Sequence, residues 1–100
     1  NVTGHLPPIH ELARMAHAAG AEIAVDAAQH AAHRPLDLGD LDDPAHLDYV
    51  AISGHKLYAP YGGGALIGRA DTFRRGAPLL VGGGAVREVT AGGGGWADGP

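Results

Sequence analysis

The sequence predicts an α/β domain with a mainly parallel sheet flanked by helices. Three observations support this prediction. Helix-like and strand-like apolar patterns alternate along the chain, as in βαβ units. The strand-like runs, such as residues 49–52, are short and apolar. The length of 100 residues allows one small domain at most.

The first predicted element is a helix over residues 7–20. Apolar residues recur at three- and four-residue spacing from Ile9, the prolines before it fit a first turn, and Gly20 fits a C-terminal stop. Residues 23–25 follow as a short buried strand, and residues 27–35 as a turn with a short helical piece. The next stretch, 36–44 and just beyond, predicts a solvated surface connection because it carries five aspartates: Asp37, Asp40, Asp42, Asp43 and Asp48.

The second half of the chain predicts shorter elements. Residues 49–52 form the second strand and residues 64–67 the third, which Gly68 ends. Residues 69–75 fit a short helix or a loop, and residues 79–81 a further strand; an antiparallel direction for the last strand stays open. Residues 91–100 are rich in glycine and predict an irregular tail.

Composition argues against several classes of function. The net charge is −4 and no basic stripe is present, so we expect no nucleic-acid partner. Without cysteine there is neither a disulfide framework nor a thiolate metal site, and no apolar run is long enough to span a membrane. We also expect no metal site, because no clean ligand spacing connects the remaining histidines: His5, His10, His17, His30, His33 and His46.

The functional signal lies where the first two strands end. Ser53-Gly54-His55-Lys56 follows the second strand, and Asp26 ends the first; open α/β sheets bind ligands outside such strand ends. A partly desolvated lysine amine can attack a carbonyl to form an imine. A carboxylate can hold a pyridinium nitrogen, so the pair meets the requirements of pyridoxal phosphate. The structural alternatives are a surface lysine and a helix-capping aspartate.

Several segments together resemble the class V aminotransferase family, which includes cysteine desulfurases and selenocysteine lyases. They occur in the family's order and span nearly the whole chain: Asn1-Val2-Thr3-Gly4, Val25-Asp26-Ala27-Ala28-Gln29, the run from Ser53 to Pro60, and Gly82-Gly83-Gly84. The resemblance implies that residues 1–100 are an internal fragment of the large pyridoxal-phosphate-binding domain of a fold-type I aminotransferase. The first residue, Asn1 rather than methionine, agrees with that expectation.

The resemblance also implies a role for each site residue. Lys56 would be catalytic through a Schiff base with the cofactor, and Asp26 would pair with the ring nitrogen. Gln29 would bind the phenolic oxygen, and Asn1 that oxygen or the substrate carboxylate. The phosphate contacts would come from Ser53 and His55. The structural alternatives are a solvent-facing Gln29, a serine that caps the next turn, and a histidine bonded to backbone.

The expected parent protein is a cytoplasmic, homodimeric, pyridoxal-phosphate-dependent transferase or lyase that acts on an amino acid. Desulfurase-like chemistry and transamination both remain open, because the sequence specifies neither the amino acid nor the reaction. Two other readings remain: an inactive fragment and a small, non-catalytic anion-binding α/β module. Neither triple glycine is followed by Lys-Ser or Lys-Thr, which argues against a nucleotide P-loop.

Overall fold

The structure is a computed structural model that describes residues 2–74 and 86–96. The chain divides into two compact bodies, Asn1–Gly68 and Arg69–Pro100. In chain order, the elements within the described residues are α1 (Ile9–Ala18), β1 (Ala24–Asp26), β2 (Tyr49–Ser53), the 3₁₀ helix η1 (Gly54–Leu57), β3 (Gly64–Gly68), α2 (Ala70–Arg74), β4 (Val86–Thr90) and β5 (Gly93–Trp96).

Helix α1 ends as the sequence predicts. Gly20 has a φ of +72°, a conformation that glycine adopts without a Cβ penalty. The Ala21 N–H donates to the Ala16 carbonyl at 2.9 Å, and the Gly20 N–H to the His17 carbonyl at 2.9 Å. These two bonds form a Schellman motif, which satisfies carbonyls that the helix end would otherwise leave without donors.

The sheet of the first body is mixed rather than mainly parallel, which corrects the sequence prediction. β1 pairs with β2 in parallel, whereas β3 pairs with β2 antiparallel from Tyr49↔Gly68 to Ser53↔Gly64. The ten residues between β2 and β3, residues 54–63, are too few for the crossover that a parallel strand needs. The chain therefore turns back, and the strand order is β1-β2-β3.

The core of this body lies between α1 and the sheet. Its buried apolar side chains are Ala13 of α1, Ala27, Leu47 and Val50 of β2, with six half-buried residues packed against them: Ile9, Ile23, Val25, Leu36, Leu38 and Ile52. The alanines at 13 and 27 are fully buried.

The connection from β1 to β2 departs from a purely solvated path. Residues 27–34 form hydrogen-bonded turns, in line with the predicted turn, with Ala31 N–H donating to the Ala27 carbonyl. Leu36 and Leu38 then point to the core. Asp48 is only 4% exposed, contrary to its place in the predicted surface run, and three nitrogen atoms lie within hydrogen-bond distance of its carboxylate.

The second body contains α2 and an antiparallel β4–β5 hairpin. The predicted irregular tail over residues 91–100 is wrong at Gly93–Trp96, which form β5. Glycine alone has little preference for a strand, so pairing with β4 is what orders β5. The Thr90 hydroxyl also donates to the Gly93 carbonyl at 2.8 Å. The strand predicted at residues 79–81 and the Gly82–Gly84 segment lie outside the described residues.

Neither helix in residues 2–74 and 86–96 has the length and apolar character needed to cross a membrane.

Candidate active site

The parallel pairing of β1 and β2 brings two strand ends to one edge of the sheet. Asp26, the last residue of β1, is in register with Ala51 of β2. The Ala27 N–H donates to the Ala51 carbonyl at 2.9 Å and extends the pairing by one bond. The residues that follow each strand therefore emerge side by side, as expected for a ligand site at strand ends.

Asp26 is an exposed carboxylate that organises the turn behind it. Its Oδ1 accepts a hydrogen bond from the Ala28 N–H at 2.9 Å, the geometry of an Asx turn. The capping role considered from the sequence is therefore present, although it stabilises a turn rather than a regular helix. Within the described part of the chain this bond engages only Oδ1, so Oδ2 remains able to bind a further donor.

A cleft of about 1260 Å³ opens at this edge of the sheet. Its lining includes Asp26, Gln29 and Lys56, together with His30 and His33 from the turn after β1. The cleft thus presents an amine, a carboxylate and a carboxamide to one volume.

The position of Lys56 depends on a close backbone contact at Gly54. The Gly54 N–H donates to the Gly63 carbonyl at 2.8 Å, which closes the loop between β2 and β3. A Cβ on Gly54 would lie 2.9 Å from that same oxygen, so this position requires glycine. Lys56 lies two residues further on, within η1.

Ser53, the last residue of β2, and His55, within η1, lie close together. The Ser53 Oγ and His55 Nδ1 are 3.0 Å apart, and the His55 ring contacts the Tyr61 ring at a centroid distance of 5.0 Å. If the hydroxyl donates to Nδ1, Nε2 carries the proton and is a donor. Neither residue lines the cleft that holds Lys56, and Asn1 lies outside the described residues.

A second polar cluster, which sequence reasoning missed, joins α1 to the segment before β2. Asp48 Oδ2 lies 2.9 Å from His17 Nε2 and Oδ1 lies 3.1 Å from His46 Nε2. The Ile23 N–H also donates to Oδ2, at 2.8 Å. The two imidazole rings stack at 4.4 Å. His46-x-Asp48 just before a strand was the available signal, since residues two apart face the same side.

The electrostatics of this cluster stabilise an ionised carboxylate. Burial works to raise the pKa of Asp48, but the hydrogen bonds from His17, Ile23 and His46 outweigh it and leave the pKa below its ordinary value. The hydrogen bond to Asp48 raises the pKa of His17 above its ordinary 6.5, with a further contribution from the Pro44 carbonyl. His17 and Asp48 therefore favour each other's charged form.

A lysine and a carboxylate lie at adjacent parallel strand ends of an α/β protein, and the family follows from comparison. The profile of the family described as Aminotransferase class-V matches residues 1–100. The chain belongs to the class V aminotransferase family, which confirms the resemblance seen in the sequence.

The similar proteins are cysteine desulfurases. That of Haloferax volcanii is 43% identical over 100 residues, which are 100% of this chain and 22% of that protein. Cysteine desulfurase CsdA of Escherichia coli K12 is 43% identical over 90 residues, 90% of this chain and 21% of that protein. The chain thus spans about a fifth of the length of these relatives.

Solved structures give the same result. A crystal structure of CsdA from Escherichia coli, in an S-sulfonic acid form, has a TM-score of 0.85 and 40% identity, and covers 98% of this chain and 24% of that one. The apo cysteine desulfurase of Thermococcus onnurineus NA1 has a TM-score of 0.77 and 34% identity, over 93% of this chain and 22% of that one. The α/β arrangement is therefore shared with these enzymes over the length of this chain.

Proposed function

We propose that this chain carries part of the active site of a pyridoxal-phosphate-dependent enzyme that acts on an amino acid, with desulfurase-like chemistry as the leading reaction. The observation that supports this most is the cleft that Lys56, Asp26 and Gln29 line together at the ends of β1 and β2. The likeness to cysteine desulfurases favours removal of sulfur over transamination.

The chemistry of the residues present fits this cofactor. The Lys56 amine would bind its carbonyl carbon, and Asp26 would bind the ring nitrogen through Oδ2, the oxygen that the Ala28 N–H does not engage. Gln29 would donate to the phenolic oxygen. The hydroxyl–imidazole pair of Ser53 and His55 would supply donors for the phosphate, in a segment that continues directly into Lys56.

Each of these groups has a distinct task in the proposed reaction. When bound, pyridoxal phosphate supplies an electron sink that stabilises a carbanion at the substrate α-carbon. A carboxylate at Asp26 keeps a ring nitrogen protonated by charge-assisted hydrogen bonding. Lys56 would take a proton from the substrate α-carbon and return it, as a general base and acid.

Lys56 gives a direct test because it is the only lysine among the 100 residues. In the full-length protein, incubation with pyridoxal phosphate and then borohydride should leave a mass adduct on the peptide that contains Lys56. Lys56→Arg keeps the positive charge but cannot form the imine, so it should lose the adduct and nearly all turnover.

Three outcomes of this experiment separate the alternatives. An adduct on wild-type Lys56 with turnover of cysteine supports the proposal. Cofactor binding without an adduct or turnover would instead favour the non-catalytic anion-binding module. Undiminished turnover in Lys56→Arg would refute the catalytic role of this lysine.

We extend the proposal to a cytoplasmic homodimer, on the basis of the family alone. Analytical ultracentrifugation of the full-length protein tests the assembly, and a sedimenting species of one subunit would overturn it.

A further inference from the structure

The cluster of His17, His46 and Asp48 lies apart from the lining of the cleft, and the proposed reaction does not use it. The three side chains come from the last turn of α1 and from the segment that leads into β2. They are 17%, 11% and 5% exposed, respectively. The cluster is thus largely enclosed but still open to solvent on the His17 side.

The hydrogen bonds around the two rings determine which nitrogen of each ring carries a proton. His17 Nδ1 lies 2.7 Å from the Pro44 carbonyl oxygen, and His46 Nδ1 lies 2.7 Å from the Asp43 carbonyl oxygen. A carbonyl only accepts, so each Nδ1 must carry a proton. In a neutral ring, Nε2 then has a lone pair and no proton.

Both Nε2 atoms are directed at the Asp48 carboxylate, which also only accepts. Two neutral rings would therefore place lone pairs against a negative charge, an arrangement that a cation relieves, either a proton on one ring or a metal ion between the three groups. Protonation of both rings is opposed by their stacking at 4.4 Å, since two imidazolium ions would repel each other. One divalent ion would satisfy both nitrogens and the carboxylate together.

We propose that His17 Nε2, His46 Nε2 and the Asp48 carboxylate form a binding site for a divalent transition-metal ion, with Zn²⁺ as the best match. Imidazole nitrogen and carboxylate oxygen are common zinc ligands, and three protein ligands leave a fourth position for water. Mg²⁺ and Ca²⁺ prefer sites made of oxygen ligands, so we expect them to bind weakly.

The candidate ligand atoms would have to move together to hold one ion, because the 2.9 Å and 3.1 Å contacts use different carboxylate oxygens and the two rings are stacked. The candidate ligand atoms all lie within 4.8 Å of one another. Ligands about 2.0–2.1 Å from a tetrahedral zinc ion lie roughly 3.3 Å apart, against the observed 2.9 Å and 3.1 Å. The outer contacts are already in place, because each ring donates Nδ1–H to a backbone carbonyl, as zinc-ligating histidines do.

Binding would fasten the end of α1 to the start of β2. The Ile23 N–H, which donates to Asp48, would orient the carboxylate from the residue preceding β1. The ion would thereby tie together the helix and two strands of the first body. An ion that binds the folded state alone raises the unfolding temperature with its concentration.

The test uses the full-length protein after treatment with a chelator. We would measure Zn²⁺ affinity by competition with a chromophoric chelator and compare wild type with His17→Asn and His46→Asn. Asparagine places an amide nitrogen near the position of Nδ1, so it can keep the bond to the backbone carbonyl while it removes Nε2. His5→Asn, at an exposed histidine of the same body, is the matched control.

We expect saturable Zn²⁺ binding in wild type and in His5→Asn, and affinity more than about tenfold weaker in both cluster variants, since loss of an outer-shell partner alone costs roughly 10–100-fold. Mg²⁺ should not compete. Equal Zn²⁺ affinity in all four proteins, or no saturable binding in wild type, would overturn the site and leave a purely proton-mediated network.

A second measurement covers the case in which a cluster variant does not fold. X-ray absorption of the Zn²⁺-loaded wild-type protein should show scattering from two imidazole rings and a light-atom shell of nitrogen and oxygen. A shell without imidazole scattering would overturn the proposal.

Discussion

Gly54→Ala tests how closely the position of Lys56 depends on one backbone contact. A Cβ at this residue would lie 2.9 Å from the Gly63 carbonyl oxygen, whereas ordinary contacts begin at 3.4 Å. The 3₁₀ helix or the returning loop must therefore shift by roughly half an ångström, because backbone, unlike a flexible side chain, cannot rotate away.

The structure gives the size of the expected effect. Loss of the 2.8 Å bond from the Gly54 N–H to the Gly63 carbonyl costs about 0.5–1.5 kcal/mol, and overpacking about 1–3 kcal/mol. The lower entropy of the unfolded alanine chain returns about 0.4–1 kcal/mol. The net loss of unfolding free energy is about 2 kcal/mol, and displacement of Lys56 lowers turnover as well.

Gly63→Ala is the matched control, since its Cβ would meet only the Pro60 carbonyl oxygen, at an ordinary 3.7 Å. Urea unfolding and cysteine turnover of the full-length protein should change strongly for Gly54→Ala and little for Gly63→Ala. Equal unfolding midpoints in the two variants would show that the contact between residues 54 and 63 does not position the lysine.

Asp26→Asn should lower kcat far more than cofactor occupancy, because an amide cannot hold a ring nitrogen protonated; near-normal kcat would refute that role. In metal-free protein, the raised pKa of His17 means that its contact with Asp48 stabilises the fold fully below about pH 6.5, and that this contribution is lost as pH rises through the raised value. The pKa of Asp48 is lowered, so at acid pH the stabilisation from this contact is lost as pH falls through that lowered value. The Glu22 carboxylate also favours the His17 cation. Urea titrations from pH 5 to 9 should show this dependence in wild type and lose it in His17→Asn, and identical profiles would contradict the assignment. Ala13 is fully buried, so Ala13→Leu should destabilise by about 1–3 kcal/mol through overpacking, and an unchanged urea midpoint would show that the core has room for the larger side chain.

The elements with a local sequence signal were predictable. Gly20 ends α1 by a motif that only the backbone and one glycine determine. The strand at residues 49–52 extends by one residue to Ser53. Strand direction was harder to predict from the sequence, because apolar runs look alike in parallel and antiparallel pairs. The β4–β5 hairpin was missed since glycine-rich Gly93–Trp96 gains its order from pairing with Val86–Thr90.

The candidate active site and the histidine cluster also differ in how far the sequence could predict them. Lys56 and Asp26 could be chosen because each follows an apolar run, and the structure places both in the lining of one cleft. Their proposed roles remain predictions. The histidine cluster depends on a contact between residues 17 and 48, which are 31 positions apart. Only the fold of the first body brings these two residues together, so spacing along the chain carried a signal for His46 and Asp48 but none for His17.

The alanine-rich core has a consequence for how the first body responds to temperature. Three of the five buried apolar residues within the described part of the chain, Ala13, Ala27 and Ala45, are alanines, so little apolar surface is exposed to water when it unfolds. The heat-capacity change of unfolding scales with that surface. A small change flattens the curve of stability against temperature, so this body should lose stability only gradually on cooling, and its unfolding should depend weakly on urea.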